Sequence, residues 1–240
     1  MDSLFIIIPA YNEQDTIRKV AEEWYGVIRR HDGGGRSRLV ILNDGSRDNT
    51  LGILNSMQRD HPLLTVLDKP NSGHGATVRR GYAYALSKEA DYIFQTDSDG
   101  QTLASEFEPF WAERKNFDLV IGNRIHREDG AGRVFVTKVL RRTLKQFFRV
   151  DVTDANTPYR LMSTASMTKI LPYVPDDYSL TNVAVTVVYT KMNYRIRYIP
   201  ITFRPRQGGK NSIHFTNILK IGIQARRDFR EIEKKLEKIS

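Results

Sequence analysis

The sequence predicts an α/β fold in which a parallel sheet is flanked by helices, and three observations carry that prediction. Short apolar runs alternate with amphipathic segments in the order β-α-β-α-β-α-β as far as Thr96, which requires crossover helices between parallel strands. Polar turns rich in carboxylates follow three of those strands, at the carboxyl ends where open sheets place their ligands. A chain of 240 residues, 40% hydrophobic and 10% aromatic, can bury one core, which excludes disordered, collagen-like and low-complexity chains.

The elements follow in order. Residues 4–8 form an Ile-rich run ended by Pro9, which suits a strand buried on both faces. Residues 12–30 read as a helix: Ile17, Val20, Ala21, Trp24 and Ile28 recur at helical spacing, Asn12 is placed to cap the first turn, and glycines 33–35 stop it. Residues 38–43 are a second buried strand and 47–59 a second helix. Strands at 63–67 and 91–96 enclose a helix from about 75 to 87, and 118–122 is a further strand that Asn123 and Arg124 leave. The second half is less regular. It holds a basic segment at 133–149, a polar loop at 151–158, helices near 163–171 and 180–191, a strand at 195–203, a Pro/Gly-rich loop at 204–212, and a last helix from 213 to about 238. No linker marks a boundary, so one domain over 1–212 with a carboxyl-terminal amphipathic, charged helix over 213–240 is expected.

Composition narrows the function. With no cysteine, the chain has no disulfide framework, thiolate zinc site or cysteine nucleophile. The run at 4–8 is too short for a secretory leader, and no run reaches the roughly 20 residues of a membrane span. A soluble or peripheral protein is expected. The formal charge of +9 predicts attraction to polyanions such as nucleic acid, anionic lipid or phosphate-bearing substrates.

Three acidic clusters follow strands: Pro9-Ala10-Tyr11-Asn12-Glu13, Asn43-Asp44-Gly45-Ser46 and Asp97-Ser98-Asp99-Gly100-Gln101. Any one of them suits turn formation equally well, but three in register point to one functional rim. Asp97 and Asp99, two residues apart after a buried strand, can project toward one ion. Hard oxygen ligands of this kind suit Mg²⁺ or Mn²⁺ completed by water and substrate phosphates, with the Gln101 carbonyl available as a further ligand. The five scattered histidines argue against zinc. The chain has no phosphate loop and no dinucleotide-binding glycine pattern; Gly73-His74-Gly75 is a fragment that reads first as a flexible lead into the next helix.

Taken together, Pro9 to Glu13, Asn43 to Ser46, Asn71-Ser72-Gly73-His74-Gly75, Asp97 to Asp99 and Gly122-Asn123-Arg124 resemble, in order and spacing, the inverting family 2 glycosyltransferases. The resemblance reaches to about Ser212. It is nearest to the dolichol-phosphate mannose synthase-like branch, through 97–101, Asp154 to Arg160, and Arg206 to Ser212. It implies a GT-A fold, Rossmann-like, with a mixed, mainly parallel sheet. It also implies a nucleotide-sugar donor held by Pro9, Ala10, Tyr11, Glu13, Asp44, Gly73, Asp97, Ser98 and Asp99, and a divalent ion on Asp97, Asp99 and Gln101. Arg124 would face a phosphate and act with Asp97 and Asp99 in catalysis. These types suit the reaction, because the leaving nucleoside diphosphate gains charge that an ion and a guanidinium stabilise.

The acceptor follows from charge. Transfer to a hydroxyl needs a carboxylate base, which many members carry at the start of a late helix, yet residues 180–194 contain no Asp or Glu. Asp177 is the available substitute, although Pro175 before it suits a capping role. A phosphate monoester is already largely anionic at neutral pH and needs cations instead. The expected acceptor contacts are Arg133, Lys138, Arg160, Arg206 and Ser212. Basic residues at 133–149 interleaved with apolar ones suit a helix in the headgroup region of an anionic membrane, or one packed on the sheet with a solvated basic side. The reading that results is hexose transfer from a GDP- or UDP-sugar to polyprenyl phosphate by a protein peripheral at the cytoplasmic face of the membrane, alone or with a membrane-protein subunit. Two alternatives stand beside it: the same fold acting on a hydroxyl of a cell-surface polysaccharide, and a nucleotidyltransferase or nucleotide-binding module. Nucleic acid is not expected as a partner, since no recognition motif accompanies the charge.

Overall fold

A computed structural model describes residues 1–127, 142, 144–146, 148–150, 152–208, 230 and 232–235, and every structural statement here concerns these. Along the chain run β1 (Leu4–Ala10), α1 (Ile17–Arg30), β2 (Arg38–Asp44), α2 (Thr50–Gln58), β3 (Leu64–Lys69), α3 (His74–Ser87) and β4 (Tyr92–Gln95). After them come α4 (Glu108–Ala112), β5 (Leu119–Arg127), β6 (Arg160–Ser163), α5 (Thr164–Ile170), α6 (Thr181–Lys191) and β7 (Ile196–Phe203).

The strands form one seven-stranded sheet in the order β3-β2-β1-β4-β6-β5-β7. β1 lies between β2 and β4 and is parallel to both, β2 is parallel to β3, and β5 is parallel to β7. Only β6 runs antiparallel, to β4 on one side and β5 on the other. The sheet is therefore mixed and mainly parallel.

Both faces of the sheet are covered, which is why β1 is an unbroken apolar run. Alternate residues serve opposite layers. Leu4, Ile6 and Ile8 pack with Val20, Trp24 and Ile28 of α1 and Phe110 of α4, whereas Phe5 and Ile7 pack with Val78 and Tyr82 of α3 and Val183 and Val187 of α6. In the first layer Trp24, Phe94, Phe107, Phe110 and Tyr159 meet as an aromatic cluster, with Phe94 and Tyr159 edge-on at 4.7 Å between centroids. In the second, α6 is buried from Thr181 to Tyr189, and Leu144, Phe148 and Ile232 join its core. The apolar residues 144 and 148 of the basic segment thus pack on the core, with Arg142 and Lys145 exposed. Arg133, Lys138 and Ser212, and most of 213–240, lie outside the described residues.

Several boundaries differ from the sequence reading. The first helix begins at Ile17, not 12, because Asn12 adopts φ +54° and leads a turn. The second begins at Thr50, after Asp48 Oδ1 accepts the Thr50 amide at 3.0 Å. β5 does not end at 122 but carries Asn123 and Arg124 along β7. β6 was not foreseen: four residues opening on an arginine just after Pro158 have no strand pattern of their own, and the strand exists because β4 and β5 pair with it.

Gly81 marks the tightest helix-to-sheet approach. A Cβ there would strike Ile7 Cγ2 and lie 3.2 Å from Leu42 Cδ1. Gly81→Ala is expected to lower stability by about 1–3 kcal/mol through overpacking, read as a shifted urea midpoint at constant m-value.

Candidate active site

The loops after β1, β2 and β4 meet at one end of the sheet because the three strands are adjacent and in parallel register. The first two are laced together by side chains. Asn12 donates its amide to Ser46 Oγ at 3.0 Å and accepts the Arg47 amide on its Oδ1 at 2.7 Å. The Glu13 amide donates to Thr50 Oγ1 at 2.9 Å, and the Asn49 amide to Gln14 Oε1 at 3.0 Å. Asn12 is thus a loop tie, not a helix cap. This lacing leaves the Tyr11 ring 38% exposed, a surface on which a planar base can lie.

Asp97 and Asp99 sit beside Glu13 at the centre of the rim. Thr16 Oγ1 donates to Glu13 Oε2 at 3.0 Å and to the Ser98 carbonyl at 3.2 Å, joining the first loop to the third. Burial and the neighbouring Asp97 charge push the Asp99 carboxyl up to about 6. Burial also raises Glu13, against the opposing pull of the Arg206 guanidinium. Arg206 pairs with Glu13 and stands 3.8 Å from Asp99 Oδ2. His74 Nε2 lies 3.0 Å from Asp97 Oδ1; desolvation lowers the imidazole's pKa, and the charges of Asp97 and Asp99 outweigh it, for a net rise. His74 is therefore more than a flexible lead into α3.

These residues fit a divalent cation. Burial first, and the Asp97 charge second, raise the Asp99 carboxyl, and a 2+ ion between the two carboxylates would offset both penalties. Gln101 donates its amide nitrogen to the Arg204 carbonyl at 2.9 Å, which leaves its carbonyl oxygen as a hard ligand. Among the described residues no three His, Asp or Glu side chains gather to hold a metal by themselves. The remaining ligands would then be Gln101, water and phosphate, as Mg²⁺ and Mn²⁺ favour.

Asp44 lies behind this rim and is built into its wall. Its carboxylate pairs with the buried Lys69 and accepts the amides of Ser72 at 2.8 Å and Gly73 at 3.0 Å. Burial works against ionisation, but the hydrogen bonds from Lys69 and Ser72 hold the group below its ordinary range. Gly73, at φ +87°, turns the chain into α3 at that point. Asp44 thus shapes the 71–73 loop, and Lys69, not noticed in the sequence, completes it. The signal was a lysine closing a strand that opens Leu-Thr-Val-Leu.

Three further expectations are corrected or qualified. Arg124 is not presented to a phosphate: Nε and Nη2 each donate to Asp154 at 2.7 Å, the side chains are 8% and 5% exposed, and the guanidinium lies 5.0 Å over the Phe203 ring. Arg160 cannot touch an acceptor. It is fully buried and donates to the carbonyls of Ala155, Thr157 and Asn182, tying β6 to α6. Asp177 is exposed beside the segment that abuts Gly75, and its neighbour Asp176 pairs with Arg79 at 2.6 Å. Pro9 and Ala10 end β1 in the buried floor, and Ser98 joins the acid pair.

The chain is similar to known proteins in sequence and in fold. The chain is 24% identical to a dolichyl-phosphate beta-glucosyltransferase of Trichomonas vaginalis over 92% of its own length and 73% of that protein's. It is 28% identical to an undecaprenyl-phosphate 4-deoxy-4-formamido-L-arabinose transferase of Pseudomonas fluorescens over 62% of its length and 43% of that protein's. In fold it resembles glucosyl-3-phosphoglycerate synthase of Mycobacterium tuberculosis, solved with Mn²⁺, UDP and glucosyl-3-phosphoglycerate. The TM-score is 0.69 at 16% identity, covering 98% of this chain and 80% of that one. The family model of Glycosyl transferase family 2 matches residues 5–171, and with the mixed sheet and its rim of acids this places the chain in that family of GT-A glycosyltransferases.

Proposed function

We propose that the protein transfers a hexose, with inversion, from a GDP- or UDP-sugar to a polyprenyl phosphate. One observation carries the choice of acceptor: a cation, Arg206, stands at the acid rim, while the helix that would carry a base in a hydroxyl-directed enzyme begins without a carboxylate. The polyprenyl-phosphate transferases among its relatives support the same acceptor class.

The donor's base lies on Tyr11 and its diphosphate reaches the rim at Asp97 and Asp99. Asp97, Asp99 and Gln101 would hold a divalent ion, which when bound would supply Lewis-acid stabilisation of the leaving diphosphate. Arg206 orients the acceptor phosphate, whose oxygen attacks the anomeric carbon. The bond to the nucleoside diphosphate breaks and its electron pair leaves with the diphosphate. His74 holds Asp97 in place during this exchange. Among the described residues no helix is long and apolar enough to cross a membrane. The protein meets its lipid at the cytoplasmic face, peripherally or on a membrane-protein subunit, and Arg133, Lys138 and Ser212, which lie outside the described residues, remain proposed acceptor contacts.

The test is incubation with radiolabelled nucleotide sugars and polyprenyl phosphate, with and without chelator, followed by extraction into organic solvent. Label should enter the organic phase only with free divalent cation. Asp177→Asn is expected to leave lipid-phosphate transfer within about twofold. A loss of two orders of magnitude in that variant would return the hydroxyl-acceptor reading to first place.

A further inference from the structure

The loop that follows β7 is fastened to the acidic turn by backbone hydrogen bonds, whereas Arg206 within it is held there by charge. The Arg204 amide donates to the Gln101 carbonyl at 2.9 Å, and the Gln207 amide to the Asp99 carbonyl at 3.1 Å. Gln101 Nε2 returns a bond to the Arg204 carbonyl at 2.9 Å, and Arg204 Nη2 reaches the Gly100 carbonyl at 3.1 Å. Gln207 also lies where a side chain on Gly100 would be, and Gly100 adopts φ +71°. The base of the loop therefore moves with the Asp97 to Gln101 turn. Arg206, between these anchors, carries its guanidinium on a long flexible stem and is 29% exposed.

That guanidinium does what a metal ion would do at the same place. It pairs with the buried Glu13 carboxylate, approaches Asp99 Oδ2 to 3.8 Å, and gives Nε to the Gly208 carbonyl at 2.6 Å. A 2+ ion on Asp99 would repel a guanidinium a few ångströms away while taking over its share of the negative charge. The exposed side of Arg206 then offers an outward rotamer, with the loop's anchors undisturbed.

We infer that Arg206 is an exchangeable counter-ion: it holds the acid rim until a divalent cation displaces it, and the displaced guanidinium then captures the acceptor phosphate. Donor loading and acceptor binding are coupled through this one side chain, and the order of binding follows from it. The inference rests on the proposed cation site at Asp97 and Asp99 and adds to it a competition between protein and metal charges.

Mn²⁺ binding without donor sugar separates the two claims, followed by the electron paramagnetic resonance of the free ion. Arg206→Gln is expected to bind Mn²⁺ roughly tenfold tighter than the native protein, and Arg206→Lys, which keeps the charge, to stay within about twofold. In the transfer assay Arg206→Gln should raise the acceptor KM at least about tenfold and leave the donor KM unraised. By reciprocity, farnesyl phosphate should tighten Mn²⁺ binding in the native protein and not in Arg206→Gln, a comparison whose native arm needs no folded variant. Equal or weaker Mn²⁺ binding in Arg206→Gln, or no effect of farnesyl phosphate on the native protein, overturns the exchange. Tighter Mn²⁺ with an unchanged acceptor KM overturns the handover. A native protein that takes up no Mn²⁺ even with UDP present removes the cation site itself, and the inference with it.

Discussion

Asp99→Ala is expected to reduce transfer by about 10³-fold or more, which corresponds to roughly 4 kcal/mol of lost transition-state stabilisation, with the far-ultraviolet spectrum unchanged. The expectation follows from where the charge lies. Asp99 is the more enclosed of the acid pair, its side chain 13% exposed against 26% for Asp97, and on the proposed mechanism Asp97 alone would not hold a divalent ion. The sign of the stability effect is opposite. Burial and the Asp97 charge raise the Asp99 carboxyl from 3.8 to about 6, so in the folded, cation-free protein its ionised form is disfavoured. That penalty is fully present above the folded value and disappears as pH falls toward the unfolded one. Asp99→Asn should therefore be inactive yet more stable at pH 7 by about 1–3 kcal/mol, an advantage that vanishes near pH 4. Thermal unfolding at the two pH values measures it. Cation affinity should also fall about tenfold for each pH unit below 6, since the ion must displace the proton.

Asp154→Ala is expected to cost about 3–5 kcal/mol of stability, because it leaves the Arg124 guanidinium buried without its bidentate partner. The double variant Arg124→Met with Asp154→Leu removes both charges, keeps most of the volume, and should recover most or all of that loss. Urea unfolding of the three proteins provides the check. A single variant as stable as the native protein would mean that Arg124 has another partner, with a substrate phosphate the first to consider. The experiment separates a structural from a catalytic arginine, a distinction the motif Gly122-Asn123-Arg124 does not make.

The parts of this protein legible in the sequence are those set by local pattern. β1 and β2 announce themselves by apolar runs, α1 by the spacing of Ile17, Val20, Trp24 and Ile28, and the acid rim by polar residues that directly follow strands. The less regular half was read less well for a physical reason. Arg160 lies in a short strand whose existence depends on β4 and β5 pairing with it, and nothing near it in the chain says that its guanidinium will be fully buried among carbonyls. A motif shows that an arginine is present, not which way it faces.

By itself, then, the sequence determined the alternating fold, the strand ends that carry the acids, and the lack of Asp or Glu over residues 180–194. Tertiary structure decided the partners of the charges: Lys69 for Asp44, Asp154 for Arg124, His74 for Asp97, and Arg206 for Glu13. Periodicity reports which face of an element is apolar, a property of neighbouring residues. An ion pair instead joins residues 23 to 193 positions apart in these four cases, and their meeting is set only when the sheet order and the loops after β4 and β7 bring them within reach.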